Sequence, residues 1–314
     1  MEIIKGLENI SKAEDCAVTI GTFDGVHPGH LMIIRRLIEV AEERHLCSTL
    51  ITFDPHPQLV LNQNLKGKIK WLSSLDDRLD ILKQTGLNRT VIIKFDKDLS
   101  ERSYEDFVKN VLIDRLGARA LIVGYDHAFG KDRQGTYNNL QKLSDKYGFY
   151  LEQVEPYRVD GKTLSSTFLR NLILEGRVQE ASAYLGRRYS LEGTVVRGKD
   201  RGKRLQFPTA NLQIDNENKI IPKNGVYAVD VEFQNKIYQG MLNIGNQPTF
   251  GKEGNFSIEV HIFNFDRDIY GKSLTVLFKR HLRDEKKFES AEALIKQLEM
   301  DKINSLKKNS EEKQ

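Results

Sequence analysis

Two imidazoles three residues apart, His27 and His30, sit inside a stretch that reads A-V-T-I-G-T-F-D-G-V-H-P-G-H-L-M-I-I-R-R over residues 17–36. Placed in the first turn of a helix, the two rings project to one side. There they could grip an anion or steady charge developing on one. The surrounding sequence predicts such a helix. Residues 17–20 form a short apolar run suited to a strand, and Gly21 and Gly25 mark a turn. Pro28 suits a first helical position, since its missing N–H would have no helical partner there. From Leu31 the apolar residues recur at Leu31, Ile34, Leu37, Ile38 and Ala41, the spacing of one buried face. A strand, a glycine turn and a helix start together make an anion site, because free N–H groups and the positive end of the helix dipole converge there. Gly21 and Gly25 are expected to let backbone approach a ligand with no Cβ in the way.

Other strings carry chemistry further along. Residues 52–57, T-F-D-P-H-P, end an apolar run in a loop stiffened by two prolines, Pro55 and Pro57. Residues 124–131 read G-Y-D-H-A-F-G-K, with Phe129 able to offer an aromatic wall. In L-S-S-T-F-L-R, residues 164–170, Ser165 or Ser166 could cap the helix that follows. The Thr167 hydroxyl and the Arg170 guanidinium suit phosphate oxygens. Residues 198–212 hold a basic loop, G-K-D-R-G-K, followed by L-Q-F-P-T-A-N-L. Later come G-V-Y-A from Gly225, N-I-G-N-Q-P-T-F from Asn243, S-I-E-V-H around Glu259, and R-D-E-K-K-F from Arg283.

The first of these strings resembles the H-x-G-H signature of the nucleotidyltransferase superfamily. The longer G-T-F-D-G-V-H-P-G-H is similar to the adenylyltransferase half of the bacterial riboflavin kinase/FMN adenylyltransferase, or FAD synthetase, family. T-F-x-P-H-P and S-S-T-x-L-R recur in that pattern. Gly124–Lys131 looks like its flavin-contacting loop, with His127 where an aromatic is usual. Pro-Thr-Ala-Asn at residues 208–211 looks like the hallmark of the riboflavin kinase fold. The resemblance implies nucleotide or flavin contacts at Gly21, Phe23, Asp24, Gly25, Pro57, Asp126, Phe129, Ser166 and Thr167, with His27, His30 and Arg170 stabilising charge on a triphosphate. In the second half it implies Glu259 as catalytic base, Thr209 and Asn211 as oxygen ligands of Mg²⁺, and Gly198, Lys203, Pro208, Tyr227 and Arg283 around ATP or flavin. ATP, riboflavin and FMN would be substrates and FAD the product. The basic loop departs from the pattern: Arg197, Lys199 and Lys203 occupy it, and Gln206 replaces the glycine before Phe-Pro-Thr.

Elements that could position these residues follow from periodicity. Strands are predicted at residues 17–20, 49–53, 90–95, 121–123 and 150–154, with amphipathic helices at 75–84 and 104–116 between them. This βα alternation predicts an α/β fold, a Rossmann-like domain with a parallel sheet whose ligands lie at the strands' carboxyl ends. After a helix at 178–185, short β-prone runs at 192–196, 226–233, 236–242, 256–263 and 273–278 predict an antiparallel β-barrel. A helix at 290–298 closes it, and residues 307–314 are expected to fray. The domains are expected to be 1–185, for adenylyl transfer, and 186–314, of riboflavin kinase type.

With 314 residues, 39% hydrophobic and 29% charged, the chain suits two globular domains. Its 48 basic residues face 44 acidic ones, a net charge of +4, without the basic aromatic patch of a nucleic-acid binder. No apolar run approaches the roughly 18 residues of a membrane span, and residues 1–10 lack a signal design. A cytoplasmic monomer or weak homo-oligomer, with small-molecule partners and neither nucleic acid nor membrane, is expected. Cys16 and Cys47 are too few for a disulfide framework or a zinc site and are expected as small buried hydrophobes. Three alternatives stay open at this point. They are a single-function FMN adenylyltransferase with a kinase-inactive barrel, a nucleotidyltransferase for another phosphorylated acceptor, and a non-catalytic flavin or RNA sensor.

Overall fold

In a computed structural model, which describes residues 1–10, 14–61, 70–198, 207–246 and 256–307, the chain divides into two compact units, Met1–Ser166 and Thr167–Gln314. The first is built on strands β1 (Glu2–Lys5), β2 (Cys16–Ile20), β3 (Cys47–Asp54), β4 (Arg89–Lys94), β5 (Ala118–Gly124) and β6 (Tyr150–Val154). They form one sheet in the order β1-β4-β3-β2-β5-β6, every neighbouring pair parallel. All five residues of β2 are buried, as they must be in a parallel sheet covered on both faces. Cys16, Val18 and Ile20 enter a cluster with Ile51, Val91 and Leu121, while Ala17 enters another with Leu50, Ala120 and Ile122.

The chain runs outward from β2 through β3 to β4, then returns to β5 on the other side of β2. That reversal of strand order is the switch point at which such sheets bind ligands. Helix α1 (Pro28–Glu43) makes the first crossover and buries Ile34, Leu37, Val40 and Ala41. Leu31, expected on that face, is 36% exposed. At 100° per residue it lies roughly 100° around the axis from the middle of the buried stripe.

Helices α2 (Pro57–Leu61), α3 (Leu75–Lys83) and α4 (Lys97–Glu101) follow. The helix expected at 104–116 is instead a short turn, α5 (Tyr104–Asp106), continued by a π-helical segment, Phe107–Ile113. Helix α6 (Tyr137–Tyr147) and a small hairpin, β7 (Arg158–Val159) with β8 (Lys162–Thr163), complete the unit. The two cysteines are free and face each other in register on β2 and β3. Cys16 is fully buried and Cys47 half-buried. Burial pushes the Cys16 thiol up to about 12, and its Sγ donates to the Leu116 carbonyl at 3.2 Å. It behaves as the small core residue expected of it.

Helix α7 (Ser166–Leu174) begins at the division between the units, and α8 (Val178–Leu185) follows. The second unit is a closed barrel of β9 (Ser190–Val196), β10 (Ala210–Gln213), β11 (Gly225–Phe233), β12 (Lys236–Asn246), β13 (Phe256–Ile262) and β14 (Ser273–Arg283). Their order is β10-β13-β12-β11-β14-β9, all pairs antiparallel, with β9 returning to β10. Closure leaves no sheet edge to protect. Strand β14 runs five residues past the expected end, and β12 four past its own, which carries Arg283 and Asn243 into the sheet. Helix α9 (Ala291–Leu306) is capped by Ser290, whose Oγ accepts from Ala293 N at 3.2 Å. Its Ile295 and Leu298 pack on Phe207, Met241 and Phe263 of the barrel.

Candidate functional site

The Gly21–His30 turn leaves the carboxyl end of β2. Its backbone is forced: Phe23, Gly25 and Val26 all have positive φ, at 49°, 83° and 36°. Such conformations persist only where the surroundings over-determine them. Here the bracing is visible. The Asp24 carboxylate, 2% exposed, accepts from Leu72 N at 3.0 Å and from Ser73 N at 3.0 Å and Ser73 Oγ at 3.1 Å. Gly25 N donates to Ser73 Oγ at 2.7 Å. A Cβ at Gly25 would come within 2.7 Å of Leu72 Cδ1, and one at Gly21 within 3.2 Å of the Phe23 ring. Neighbouring side chains of the protein itself thus exclude a Cβ at Gly25 and crowd one at Gly21. Asp24 likewise braces the turn.

His27 is the N-cap of α1 and is 4% exposed; its side chain makes no capping hydrogen bond. Instead its ring stacks on that of His30, with centroids 3.7 Å apart and planes 19° from parallel. Phe23 meets His30 edge-on at 5.2 Å. A Cβ on Gly29 would lie 3.1 Å from the His27 ring, so the glycine of H-P-G-H lets the first imidazole fold back over the helix start. The expectation that both rings share a side holds. Ser166, the last residue of the first unit, is tied to the same turn, since its Oγ donates to the Asp24 carbonyl at 2.9 Å. Thr167 and Arg170 follow on α7, one and four residues beyond Ser166.

Arg78 was not among the expected site residues. It lies on α3, is 5% exposed, and donates through Nη1 to the Thr22 carbonyl and, at 3.0 Å, to Thr52 Oγ1. Burial pulls its guanidinium below the ordinary arginine value, against the opposing pull of Asp24, Asp54 and Asp77. The guanidinium thus ties the turn after β2 to the end of β3. A signal existed, because Arg78 stands between Leu75, Leu79 and Leu82 on the apolar stripe of its helix, where a charge needs a reason.

Pro57 opens α2, and His56 stacks on Trp71 at 4.3 Å. In the loop after β5, Asp126 is exposed, whereas Phe129 is half-buried with its ring edge-on to Phe107 at 5.5 Å. His127 tilts against Phe129 at 5.4 Å, and burial, with Arg133 nearby, lowers its pKa to about 4. The imidazole is therefore neutral at physiological pH.

The barrel holds a separate cavity of about 330 Å³. Thr209, Asn243, Glu259, His261 and Arg283 are among its polar lining, with Glu285 and Lys286, and Phe207, Met241, Leu294 and Leu298 are among its apolar walls. That volume and mixture suit a small planar ligand with a polar tail. Glu259 sits on β13 with Asn211 and Asn243 as its register partners on β10 and β12, so all three project from one face. Glu259 Oε2 accepts from Thr209 Oγ1 at 3.4 Å and Oε1 from Ser257 Oγ at 3.1 Å. The Asn211 amide packs over Gly198, where a Cβ would meet Nδ2 at 1.9 Å.

Arg283 Nε and Nη2 grip the carboxylate of Asp301 on α9, Nη2 at 2.8 Å, and Asp301 is 2% exposed. Tyr227 does not line the cavity. It is fully buried, its hydroxyl donates to the Lys223 carbonyl, and burial raises its pKa. Alternation along β11 turns Val226 into the cavity instead. Pro208 contributes its carbonyl to His261. Lys203 and Gln206 lie outside the described residues. Sequence reading missed Asn243, His261 and Asp301. The first two stood in quoted strings with no role given, and Asp301 lay beyond the helix expected at 290–298.

Residues 9–168 match the family described as FAD synthetase, and residues 185–308 the family described as riboflavin kinase. A bifunctional riboflavin kinase/FMN adenylyltransferase of Listeria monocytogenes is 37% identical over 90% of this chain and 89% of its own length. The Escherichia coli protein of that name is 32% identical over 97% of both chains. A crystal structure from Streptococcus pneumoniae superposes with a TM-score of 0.89 at 29% identity, covering 98% of this chain and all of that one. It bears the name macrolide-efflux protein; among the described residues here, no helix is long and apolar enough to cross a membrane. With both halves matched and relatives aligned end to end, the chain belongs to the bifunctional riboflavin kinase/FMN adenylyltransferase family.

Proposed function

We propose that residues 186–314 phosphorylate riboflavin to FMN with ATP and that residues 1–185 adenylylate FMN to FAD with release of pyrophosphate. The observation that carries this reading is a pair of chemically distinct sites, one in each unit. In the barrel a carboxylate, Glu259, lies against Thr209 inside a cavity of about 330 Å³. In the α/β unit two stacked imidazoles stand at the start of a helix beside the switch point.

For the kinase step, Glu259 takes the proton of the ribityl hydroxyl as that oxygen attacks the γ-phosphorus and the bond to the β-phosphate oxygen breaks, leaving ADP. Such transfers need positioning and charge neutralisation more than covalent chemistry. The Thr209 hydroxyl and the Asn211 amide oxygen, neighbours of the Glu259 carboxylate, make a hard-oxygen donor set that fits Mg²⁺. Bound there, the ion would offset charge on the phosphates of ATP. Among the described residues there is no group of three or more His, Cys, Asp or Glu side chains that could hold a metal ion. Arg283, committed to Asp301, acts as a wall of the flavin cavity.

For adenylyl transfer, an FMN phosphate oxygen attacks the α-phosphorus of a second ATP. The attacking group is already ionised and needs no base. His27 and His30 then act by stabilising charge on phosphate oxygens. Thr167 and Arg170 take the phosphate-binding roles implied by their motif. Gly21, Phe23, Asp24 and Gly25 shape the nucleotide turn, with Pro57, Asp126 and Phe129 toward the flavin.

Incubation of the protein with riboflavin and ATP–Mg²⁺, followed by chromatography, tests the reading. Both FMN and FAD are expected. FAD from supplied FMN, with no FMN from riboflavin, would instead establish the single-function alternative.

A further inference from the structure

Strands β10 and β13 pair through only two register positions, Ala210 with Val260 and Asn211 with Glu259. The ladder cannot be extended to Pro208, which has no N–H to give. Its carbonyl is satisfied by a side chain instead: His261 Nδ1 lies 2.7 Å from Pro208 O. A carbonyl only accepts, so Nδ1 carries the hydrogen and the ring is fixed in one tautomer. His261 is 8% exposed. Phe207 and Phe263 meet its ring edge-on at 5.2 and 5.5 Å, which leaves the imidazole little freedom to turn. Burial holds it below the ordinary imidazole pKa.

The carbonyl that His261 holds belongs to the peptide plane joining Pro208 to Thr209. A peptide plane is rigid, so fixing its oxygen also fixes the direction from which Thr209 leaves it. Thr209 Oγ1 is the group that stands 3.4 Å from Glu259 Oε2, and His261 lies two residues from Glu259 on the same face of β13. One strand therefore carries both the carboxylate and the donor that locates the carboxylate's partner. We propose that His261 is a positioning residue of the kinase reaction, its Nδ1–H orienting the Pro208–Thr209 peptide so that the Thr209 hydroxyl meets Glu259. This inference rests on the kinase reading of the cavity.

The donor sits on Cγ, one bond nearer the backbone than Nε2. Asparagine places its amide nitrogen at that same distance, and glutamine places it one bond further out. His261→Asn and His261→Gln lose the same ring contacts and differ only in where the donor stands. Riboflavin phosphorylation is measured in the full chain for both, with riboflavin binding followed by flavin fluorescence and FMN adenylylation as an internal control. The expected result is a kcat at least tenfold higher for the asparagine variant than for the glutamine variant. Their KM for riboflavin should agree within threefold, with unchanged adenylylation. A kcat ratio below tenfold overturns the proposal, and so does loss of riboflavin binding by both variants, which would make His261 a packing residue only. Failure of the kinase reading looks different: the unmodified chain would then form no FMN, and Glu259→Gln would change nothing.

Discussion

The hydroxyl of Ser166 donates to the backbone carbonyl of Asp24 at 2.9 Å across 142 positions of sequence. The other end of the same residue, the Asp24 carboxylate, is held by Leu72 N, Ser73 N and Ser73 Oγ. The Gly21–His30 turn is thus pinned through backbone and side chain at once. Replacing Asp24 by alanine strands three buried donors, each at a cost of about 1–3 kcal/mol. Asp24→Ala is expected to lower the unfolding midpoint of the first unit and to cut FAD formation at least tenfold. Riboflavin phosphorylation in the same preparation should be unchanged. An equal fall in both activities would mean that the turn does not belong to one site.

The stacked imidazoles carry a sharper expectation. Loss of one preorganised donor to a transition-state oxyanion costs about a hundredfold or more in rate. His30→Ala should therefore reduce FAD formation from FMN by about that factor, with riboflavin phosphorylation intact. Glu259→Gln should do the reverse. Steady-state rates on supplied riboflavin and supplied FMN separate the two, and cross-inactivation by either single change would argue against independent sites.

How far the sequence reaches is clearest at the two proposed sites. The α1 helix and its histidines were legible because a short motif, a proline at N1 and a 3.6-residue apolar period all agree. The bracing of that motif was not. Leu72, Ser73 and Arg78 are more than 40 residues away; Leu72 acts through a backbone N–H, which leaves no pattern in side-chain type, and Arg78 showed only as a charge on an apolar stripe. Gly25 was marked as special, and the fold adds reasons of its own: its φ is 83° and a Cβ there would meet Leu72. In the barrel, the strands were found and their ends were not. Arg283 ends β14 as the register partner of Val226 and binds a carboxylate 18 residues further on, beyond the reach of a local pattern. The same long-range pair explains why α9 was expected to stop at Leu298. Asp301 interrupts the apolar period, and its burial makes sense only beside Arg283.

That pair yields a prediction of its own. Asp301 is 2% exposed and accepts from Arg283 Nε, from Arg283 Nη2 and, at 2.8 Å, from Gln297 Nε2. Removing one partner of a buried ion pair leaves an uncompensated charge, at about 3–5 kcal/mol. Asp301→Ala should destabilise the barrel by that order and release α9 from the cavity wall, raising KM for riboflavin. Denaturant unfolding and flavin titration check both effects. A variant as stable as wild type would show that the pair contributes nothing net.

His127 gives a pH dependence whose sign can be worked out. Its Nε2 is buried with no hydrogen-bond partner among the described residues, and desolvation, with Arg133 adding to it, lowers its pKa from 6.5 to about 4. Between those two values the unfolded chain binds a proton that the folded chain refuses. Stability from this group is therefore fully present above pH 6.5 and is lost as pH falls toward 4. His127→Phe removes the titrating group while keeping an aromatic ring beside Phe129. The single tryptophan, Trp71, lies in the same unit and is 6% exposed, so its fluorescence reports the unfolding that matters. Between pH 7 and 4.5 the midpoint of the wild-type protein should fall by more than that of His127→Phe. Parallel decline of the two would place the acid sensitivity elsewhere.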